Sequence, residues 1–339
     1  RRLGIRALPR SAGAEEEDEG RRRRKTRGSG RDDGTIRHRL VRYKMRNMAA
    51  SSISPRRIAA IVGVGPKLGL SIARKFAHEG YTIAILARDL GRLSRFAEEI
   101  ATGKKAQVFA IRIDCSDSKS VREAFESVLS LGFVEVLVYN AYYQQPPPPP
   151  QSNPSGFSSA SRDSFENSLA VSAAGAFHCS QQVLPEMVER GRGTIIFTGC
   201  SASLTGFAGH AQICSGKFAL RALSQCLAAE YQPLGVHVAH VVIHGVVCSG
   251  DDPRPHREAS EVQPRPPSHS PSPSPSQRHA SAGGGGWAME ADAVAQTYWQ
   301  LHLQDRSAWT QEIDLRPAGA APTFFSRTGC DDLSYLPRQ

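Results

Sequence analysis

Short apolar runs alternate with amphipathic stretches through the middle of the chain. The runs with the length and branching of buried strands span residues 58–62, 81–87, 106–113, 134–139, 193–198 and 236–243. The stretches with helical periodicity that separate the later runs span residues 90–102, 119–131, 164–190 and 215–232. Near-continuous apolar strands alternating with helices predict an α/β fold: a single Rossmann-like, doubly wound parallel sheet with helices on both faces.

The first strand leads into a glycine-rich turn. Gly63, Gly65 and Gly69 follow the apolar run, and an amphipathic helix comes next, with apolar residues such as Leu70, Ile72 and Phe76 on one face. Such a turn lets the backbone approach a pyrophosphate, and the helix N-terminus offers N–H groups and a positive dipole to it. We expect this unit to bind a dinucleotide, because both flanking elements are present.

The second strand ends at Arg88, where this kind of fold meets the adenosine ribose. A guanidinium there suits a 2′-phosphate, so Arg88, with help from Arg92, favours NADP over NAD. Lys67 adds positive charge within the turn. The alternative interpretation of Arg88 is a solvated side chain at a strand end.

A set of motifs lies in order between residues 57 and 247. Lys67 lies between Gly63 and Gly69, Asp114 follows the third strand, Asn140-Ala141 precedes Tyr142, and His244-Gly245 follows Lys217. In these motifs the chain resembles the short-chain dehydrogenase/reductase family, with Lys67, Tyr142 and His244 replacing the usual Gly, Gly and Pro. The resemblance implies that the cofactor contacts are Gly63, Gly65, Lys67, Leu68, Gly69, Arg88, Asp114, Cys115, Asn140, Ala141, Lys217, Gly245 and Val247.

The resemblance also implies a catalytic asparagine, serine, tyrosine and lysine. Lys217 matches the lysine, but Ile213 stands at the tyrosine position, and Cys200, followed by Ser201, stands at the serine position. Ser172 stands at the asparagine position. We name Lys217, Ser201, Cys200 and Ser172 as the catalytic candidates.

Two functions are compatible with this pattern. One is hydride transfer between NADP(H) and a small carbonyl or alcohol, with a substitute proton donor. The candidates for that donor are Ser201, Cys200, His210, Cys214, Tyr142 and Tyr143. The other is an impaired NADP-binding protein that acts as a binding or regulatory module. Cys200 and Cys214 also fit the role of small buried apolar residues.

The net charge of +10 comes from the N-terminal segment. Residues 1–47 hold 16 basic and 7 acidic side chains, whereas the rest of the chain holds 26 and 25. The globular part therefore predicts no nucleic-acid groove. We expect residues 1–50 to be a disordered extension. Met48 lies shortly before the first predicted strand, where a translation start would fit, which suggests that residues 1–47 are not native.

The cysteines, the apolar runs and the Pro/Ser/Gly-rich stretches indicate the location of the protein and the boundaries of its domains. Seven unpaired cysteines predict neither disulfides nor a metal site, and no apolar run predicts a membrane span, so we expect a cytoplasmic protein. The cofactor domain of residues 55–247 is followed by a flexible Pro/Ser/Gly-rich insertion at 248–288, which replaces the substrate lid. Residues 289–318 supply the last helix and strand, and 319–339 form a tail. The resemblance implies a homodimer or homotetramer built through the helices at 164–190 and 215–232.

Overall fold

Seven parallel strands form the central sheet of the protein, whose computed structural model describes residues 57–104, 106–143, 157, 161–249 and 288–318. The strands in chain order are β1 (Arg57–Val62), β2 (Thr82–Ala87), β3 (Val108–Arg112), β4 (Phe133–Tyr139), β5 (Gly193–Cys200), β6 (Val236–Ile243), β7 (Val246–Cys248), β8 (Ala288–Glu290) and β9 (Glu312–Leu315). The order across the main sheet is β3-β2-β1-β4-β5-β6-β9, and every pairing is parallel. The doubly wound α/β fold predicted from the sequence is confirmed.

In the described part of the chain, seven helices cover the two faces of this sheet. They are α1 (Leu68–His78), α2 (Leu90–Lys104), α3 (Ser118–Leu131), α4 (Arg162–Leu169), α5 (Gly175–Glu189), α6 (Ala211–Tyr231) and α7 (Ala291–His302). Helices α3, α5 and α6 enclose one apolar core with the sheet, around residues such as Phe125 and Leu220. Helices α1, α2 and α7 enclose the other, where Phe76 meets Trp299 edge to face at 5.3 Å. Both faces are therefore buried, which explains why the strands are almost entirely apolar.

The order of the strands positions the site. Strand β1 lies between β2 and β4, so the chain reverses its direction of winding at the β1–β4 pair. Ligands bind doubly wound sheets at the carboxyl edge beside such a switch point. The turn after β1 and the end of β4 both lie at this edge.

The predicted elements differ from the observed ones mainly at their ends. The run 106–113 shortens to β3, because this edge strand pairs with β2 alone, from Val108 to Arg112. The predicted helix at 164–190 is divided by a wider π turn at Ala170–Ala174. The sequence predicts the last strand over residues 308–316, but a 3₁₀ turn at Arg306–Ala308 precedes it and β9 spans only Glu312–Leu315.

The predicted insertion at 248–288 begins and ends in paired strands. Val246, Val247 and Cys248 pair with Ala288, Met289 and Glu290 in a two-stranded parallel sheet. Residues 289–318 hold α7 and β9. The predicted N-terminal extension, the C-terminal tail at 319–339 and the interior of the insertion lie outside the described residues.

Candidate functional site

The glycine turn after β1 is folded tightly against β2 and β4. Gly63 has a φ of 85°, and its N–H donates to the Leu86 oxygen at 2.8 Å. A Cβ atom at Gly63 would lie 2.4 Å from the Ala141 nitrogen, and one at Gly69 would lie 2.8 Å from the Cα of Val64. Both positions therefore require glycine, and the turn has the open backbone that a dinucleotide pyrophosphate needs.

Helix α1 begins directly after this turn. Its N-terminal residue is Leu68, and the preceding Lys67 makes no side-chain capping hydrogen bond to the helix. Gly65 is buried in the turn, and its oxygen accepts from the Leu70 N–H at 3.2 Å. The positive end of the helix dipole therefore faces the same place as the turn, as expected for phosphate binding. These residues fit a dinucleotide cofactor.

Asn140 fastens the end of β4 to the glycine turn. Its side-chain Nδ2 donates to the Gly63 oxygen at 2.8 Å, and its main-chain N–H donates to the Val62 oxygen at 2.8 Å. Asn140 and the next residue, Ala141, are both buried. The pair therefore shapes the floor of the cofactor turn.

Arg88 and Asp114 lie at the ends of neighbouring strands. Arg88 is exposed, two residues beyond the Leu86 oxygen that holds the turn. Burial raises the pKa of Asp114, but hydrogen bonds from the Ser116 main chain and hydroxyl and the charge of Arg88 outweigh burial and lower it. The Asp114 carboxylate is thus ionised beside an exposed guanidinium. The next side chain, Cys115, is a buried free thiol, and a hydrogen bond with the Cys179 thiol of α5 lowers its pKa.

Lys217 is the buried cation of the site. It lies in α6, is 4% exposed, and its Nζ donates to the Thr198 oxygen at 2.8 Å. Burial lowers the pKa of Lys217, while the nearby Cys200 opposes the shift. The Nζ also lies 5.6 Å from the ring centre of Tyr142. These residues share one pocket, which is lined by Asn140, Tyr142, Thr198, Gly199, Cys200, Ile213 and Lys217.

The other catalytic candidates surround this lysine. Cys200 is buried, its Sγ accepts from the N–H groups of Ala202 and Ser203, and burial raises its pKa. Ile213, one helical turn before Lys217, packs against Cys200 in a small apolar cluster. Ser172 is buried in the π turn, where its Oγ would lie 3.1 Å from a Cβ at Gly216. Cys200 and Ile213 line the pocket beside Lys217, whereas Ser172 packs behind it on the face of α6.

Ser201 faces a pair of residues that the sequence analysis did not assign to the site. Its Oγ lies 2.9 Å from Nδ1 of His244, and Nε2 of His244 lies 3.3 Å from Oδ1 of Asp314. His244 replaces a family proline, and this substitution was the one signal in the sequence. The two predicted cofactor contacts beyond it are Gly245, at a φ of 140°, and Val247, buried in β7.

The described part of the chain contains neither a membrane-spanning helix nor a cluster of metal ligands. None of its helices combines the length and the apolar character that a membrane crossing requires. Nor does it bring three or more His, Cys, Asp or Glu side chains together as a metal site.

Comparisons with known proteins agree with the fold and the motifs. Residues 57–252 match the family described as short chain dehydrogenase. A short-chain dehydrogenase/reductase of Armillaria gallica is 30% identical over 199 residues, which cover 56% of this chain and 71% of that protein. The crystal structure of a short-chain dehydrogenase from Rhodopseudomonas palustris is 27% identical and superposes with a TM-score of 0.59, covering 77% of this chain and 98% of that one.

A more distant structure shares the fold. L-sorbose reductase from Gluconobacter frateurii, solved with NADPH and L-sorbose, is 20% identical, with a TM-score of 0.61 over 78% of this chain and 96% of that one. The fold, the glycine turn, the buried Lys217 and the match over residues 57–252 agree. The chain belongs to the short-chain dehydrogenase/reductase family of oxidoreductases.

Proposed function

We propose that the protein transfers hydride between NADP(H) and a small carbonyl or alcohol substrate, with an atypical set of catalytic residues. The observation that carries this proposal is the buried Lys217 ammonium, 2.8 Å from the Thr198 oxygen, in a pocket that also includes Asn140. A buried cation at the carboxyl edge of the sheet stabilises negative charge that develops on a substrate oxygen.

The cofactor would lie along the carboxyl edge of the sheet. Its pyrophosphate would contact the turn of Gly63, Gly65 and Gly69 with Lys67 and Leu68, and Arg88 would bind a 2′-phosphate. The adenine and nicotinamide ends would contact Asp114 with Cys115, Asn140 with Ala141, Lys217, and Gly245 with Val247. When bound, the cofactor supplies or accepts the hydride, and the chain supplies orientation and the proton.

The proton donor is the atypical part of the proposal. Residue 213 is isoleucine, which has no proton to give, and it lines the pocket next to Lys217. At the serine position the buried Cys200 thiol is a weak hydrogen-bond donor. A working enzyme of this kind must therefore take its proton from another group at the pocket wall.

The second candidate function is an impaired NADP-binding protein that serves as a binding or regulatory module. The apolar contact between Ile213 and Cys200 favours it, because these residues fill the place where a proton donor would act. Cofactor binding is common to both candidates, so turnover alone separates them.

The proposal also covers the oligomeric state of the protein and its location in the cell. Helices α5 and α6 carry exposed aromatic side chains, among them Phe177 and Phe218. We expect these helices to pair two copies into a homodimer, or four into a homotetramer, in the cytoplasm.

A titration with both reduced cofactors tests the proposal. NADPH should bind more tightly than NADH, as measured by fluorescence, and Arg88→Asp should reverse this preference because a carboxylate repels the 2′-phosphate. Arg95→Asp on the exposed face of α2 is the matched control, since it changes the net charge equally. Binding of neither cofactor would overturn the proposal, and equal affinity for both would overturn the NADP preference.

A further inference from the structure

The carboxyl ends of three neighbouring strands bring Ser201, His244 and Asp314 into one hydrogen-bonded row. Ser201 follows β5, His244 follows β6, and Asp314 lies in β9, the neighbour of β6. Nδ1 of His244 lies 2.9 Å from the Ser201 Oγ, and Nε2 lies 3.3 Å from the Asp314 carboxylate. Both ring nitrogens therefore have partners, and these partners fix the orientation of the imidazole.

The main chain holds this row in place. The N–H of His244 donates to the Leu315 oxygen at 2.9 Å, which continues the ladder between β6 and β9. The Nη2 atom of Arg316 lies 3.1 Å from Oδ2 of Asp314 and 3.3 Å from Nε2 of His244. Among the described residues, the charged groups that face the ring are therefore one carboxylate and one guanidinium, both from the last strand and its end.

One end of the row adjoins a residue of the pocket lining, and the other end is open to solvent. Ser201 directly follows Cys200, which lines the pocket with Lys217. Ser201 is half-buried, the His244 side chain is 11% exposed, and the Asp314 side chain is 41% exposed. The solvent end can thus take up protons, and the Ser201 end lies one residue along the chain from the pocket lining.

The proposed function needs a proton donor at this pocket, and the inference rests on that function. We propose that Ser201 gives its proton to the substrate oxygen during carbonyl reduction, and that His244 and Asp314 restore that proton. The carbonyl carbon receives hydride from a reduced nicotinamide dinucleotide, and the carbonyl oxygen takes the Ser201 hydroxyl proton. Protonated His244 passes its Nδ1 proton to the Ser201 Oγ in the same event. The neutral ring then regains a proton from water, so the balance is one hydride and one proton for each alcohol formed.

Asp314 supports the charged form of the ring. Its carboxylate accepts the Nε2 proton of His244 and stabilises the imidazolium that donates from Nδ1. Burial and the charge of Arg316 lower the pKa of His244, and Asp314 opposes this shift. Reduction through this row should therefore become faster as the pH falls toward the His244 pKa.

The same three residue types also occur in hydrolases that use a nucleophilic serine, but the surroundings of Ser201 favour proton transfer. Acyl transfer needs free N–H groups around the oxyanion. The N–H groups of Ala202 and Ser203 are bound to the Cys200 Sγ, and those of Leu204 and Thr205 donate to the Ser201 oxygen. The four amides that follow Ser201 are thus already used.

The kinetic experiment measures single-turnover oxidation of NADPH with phenanthrenequinone as the probe, in water and in D₂O, across the acidic and neutral pH range. Ser201→Ala and His244→Gln should each lower the rate by about 10²–10⁴-fold and abolish the acid-side increase and the solvent isotope effect. Ser201→Thr keeps the hydroxyl and should retain both. His178→Asn, in α5 and outside the pocket lining, is the control and should leave the rate unchanged.

A measurement without turnover examines the row itself. Nitrogen NMR of the His244 ring should show a pKa that rises in Arg316→Gln and falls in Asp314→Asn, because these variants remove opposite charges. Ser201→Ala should shift the Nδ1 resonance, since this substitution removes the hydroxyl partner. A His244 resonance that is unaffected by Ser201→Ala overturns the row.

The outcomes separate this inference from the function on which it rests. If NADPH is bound but not oxidised by the wild type, the proposed reaction is overturned, and the role of Ser201 with it. If reduction continues unchanged in Ser201→Ala, the reaction stands and the inference is overturned. A loss in Tyr142→Phe comparable with that expected for Ser201→Ala would assign the proton to the phenol beside Lys217 and would also overturn it.

Discussion

A Cβ atom on Gly63 would lie 2.4 Å from the main-chain nitrogen of Ala141, so the cofactor turn and the end of β4 fit together only around a glycine. The Asn140 side chain strengthens the same contact through its 2.8 Å hydrogen bond to the Gly63 oxygen. The geometry of the turn therefore depends on a residue far away in the sequence.

Replacing Gly63 by alanine should destabilise the protein and open this contact. The residue has a φ of 85°, which costs an alanine about 1–2 kcal/mol, and the clash with Ala141 adds to that cost. Gly80→Ala is the matched control, because Gly80 has a φ of 86° but no atom within 4 Å of its Cβ position. Urea unfolding should show a clearly larger loss for Gly63→Ala than for Gly80→Ala. Equal losses of unfolding free energy in the two variants would show that the main chain at Ala141 moves aside for the new Cβ atom with no energetic penalty.

The stability of the domain should decrease in acid because of His302. This ring contacts the Tyr81 hydroxyl at 2.7 Å and the Thr194 hydroxyl at 2.9 Å, and burial lowers its pKa to about 4. The unfolded chain, with a histidine pKa of about 6.5, binds the proton first, so stability is lost as the pH falls from about 6.5 to about 4. The full effect of this one group is on the order of 3 kcal/mol.

Unfolding free energies at neutral and mildly acid pH measure this effect. His302→Gln should lower stability at neutral pH, because the ring is packed, but should flatten the pH dependence. An unchanged slope in His302→Gln would assign the acid sensitivity to other groups.

The proposed assembly gives the exposed aromatic residues of α5 and α6 a function. Phe177 is 43% exposed and Phe218 is 41% exposed, on helices that cover the same face of the sheet. Phe218→Asp should shift the protein toward a monomer, because a buried interface does not tolerate an unpaired charge. Leu303→Asp, which follows α7 on the opposite face, is the control. Light scattering gives the mass directly, and a monomeric wild type would contradict the assembly.

Local patterns predicted the fold because each strand is buried on both faces and each helix covers one of them. The glycine turn, Asn140 and Lys217 were also predictable, since their spacing along the chain is characteristic of the family. The contact of Ser201 with His244 and Asp314 was not, because these residues meet only when β5, β6 and β9 lie side by side. The π turn at Ala170–Ala174 was missed as well, since its residues have ordinary helical periodicity.

The pocket wall at Ile213 allows a test of the missing proton donor. Ile213 contacts Cys200 and lies one helical turn before Lys217, so a phenol at this position would point into the same pocket. Ile213→Tyr, alone or with Cys200→Ser, should raise the rate of NADPH oxidation, because a placed general acid contributes about 10²–10⁴-fold. Ile213→Phe is the matched control, since it has nearly the same size but no hydroxyl. If Ser201 supplies the proton in the wild type, Ser201→Ala should cost much less in the Ile213→Tyr background, because the two donors would then be redundant. Equal rates for Ile213→Tyr and Ile213→Phe, with NADPH still bound, would show that the pocket does not place a carbonyl beside residue 213.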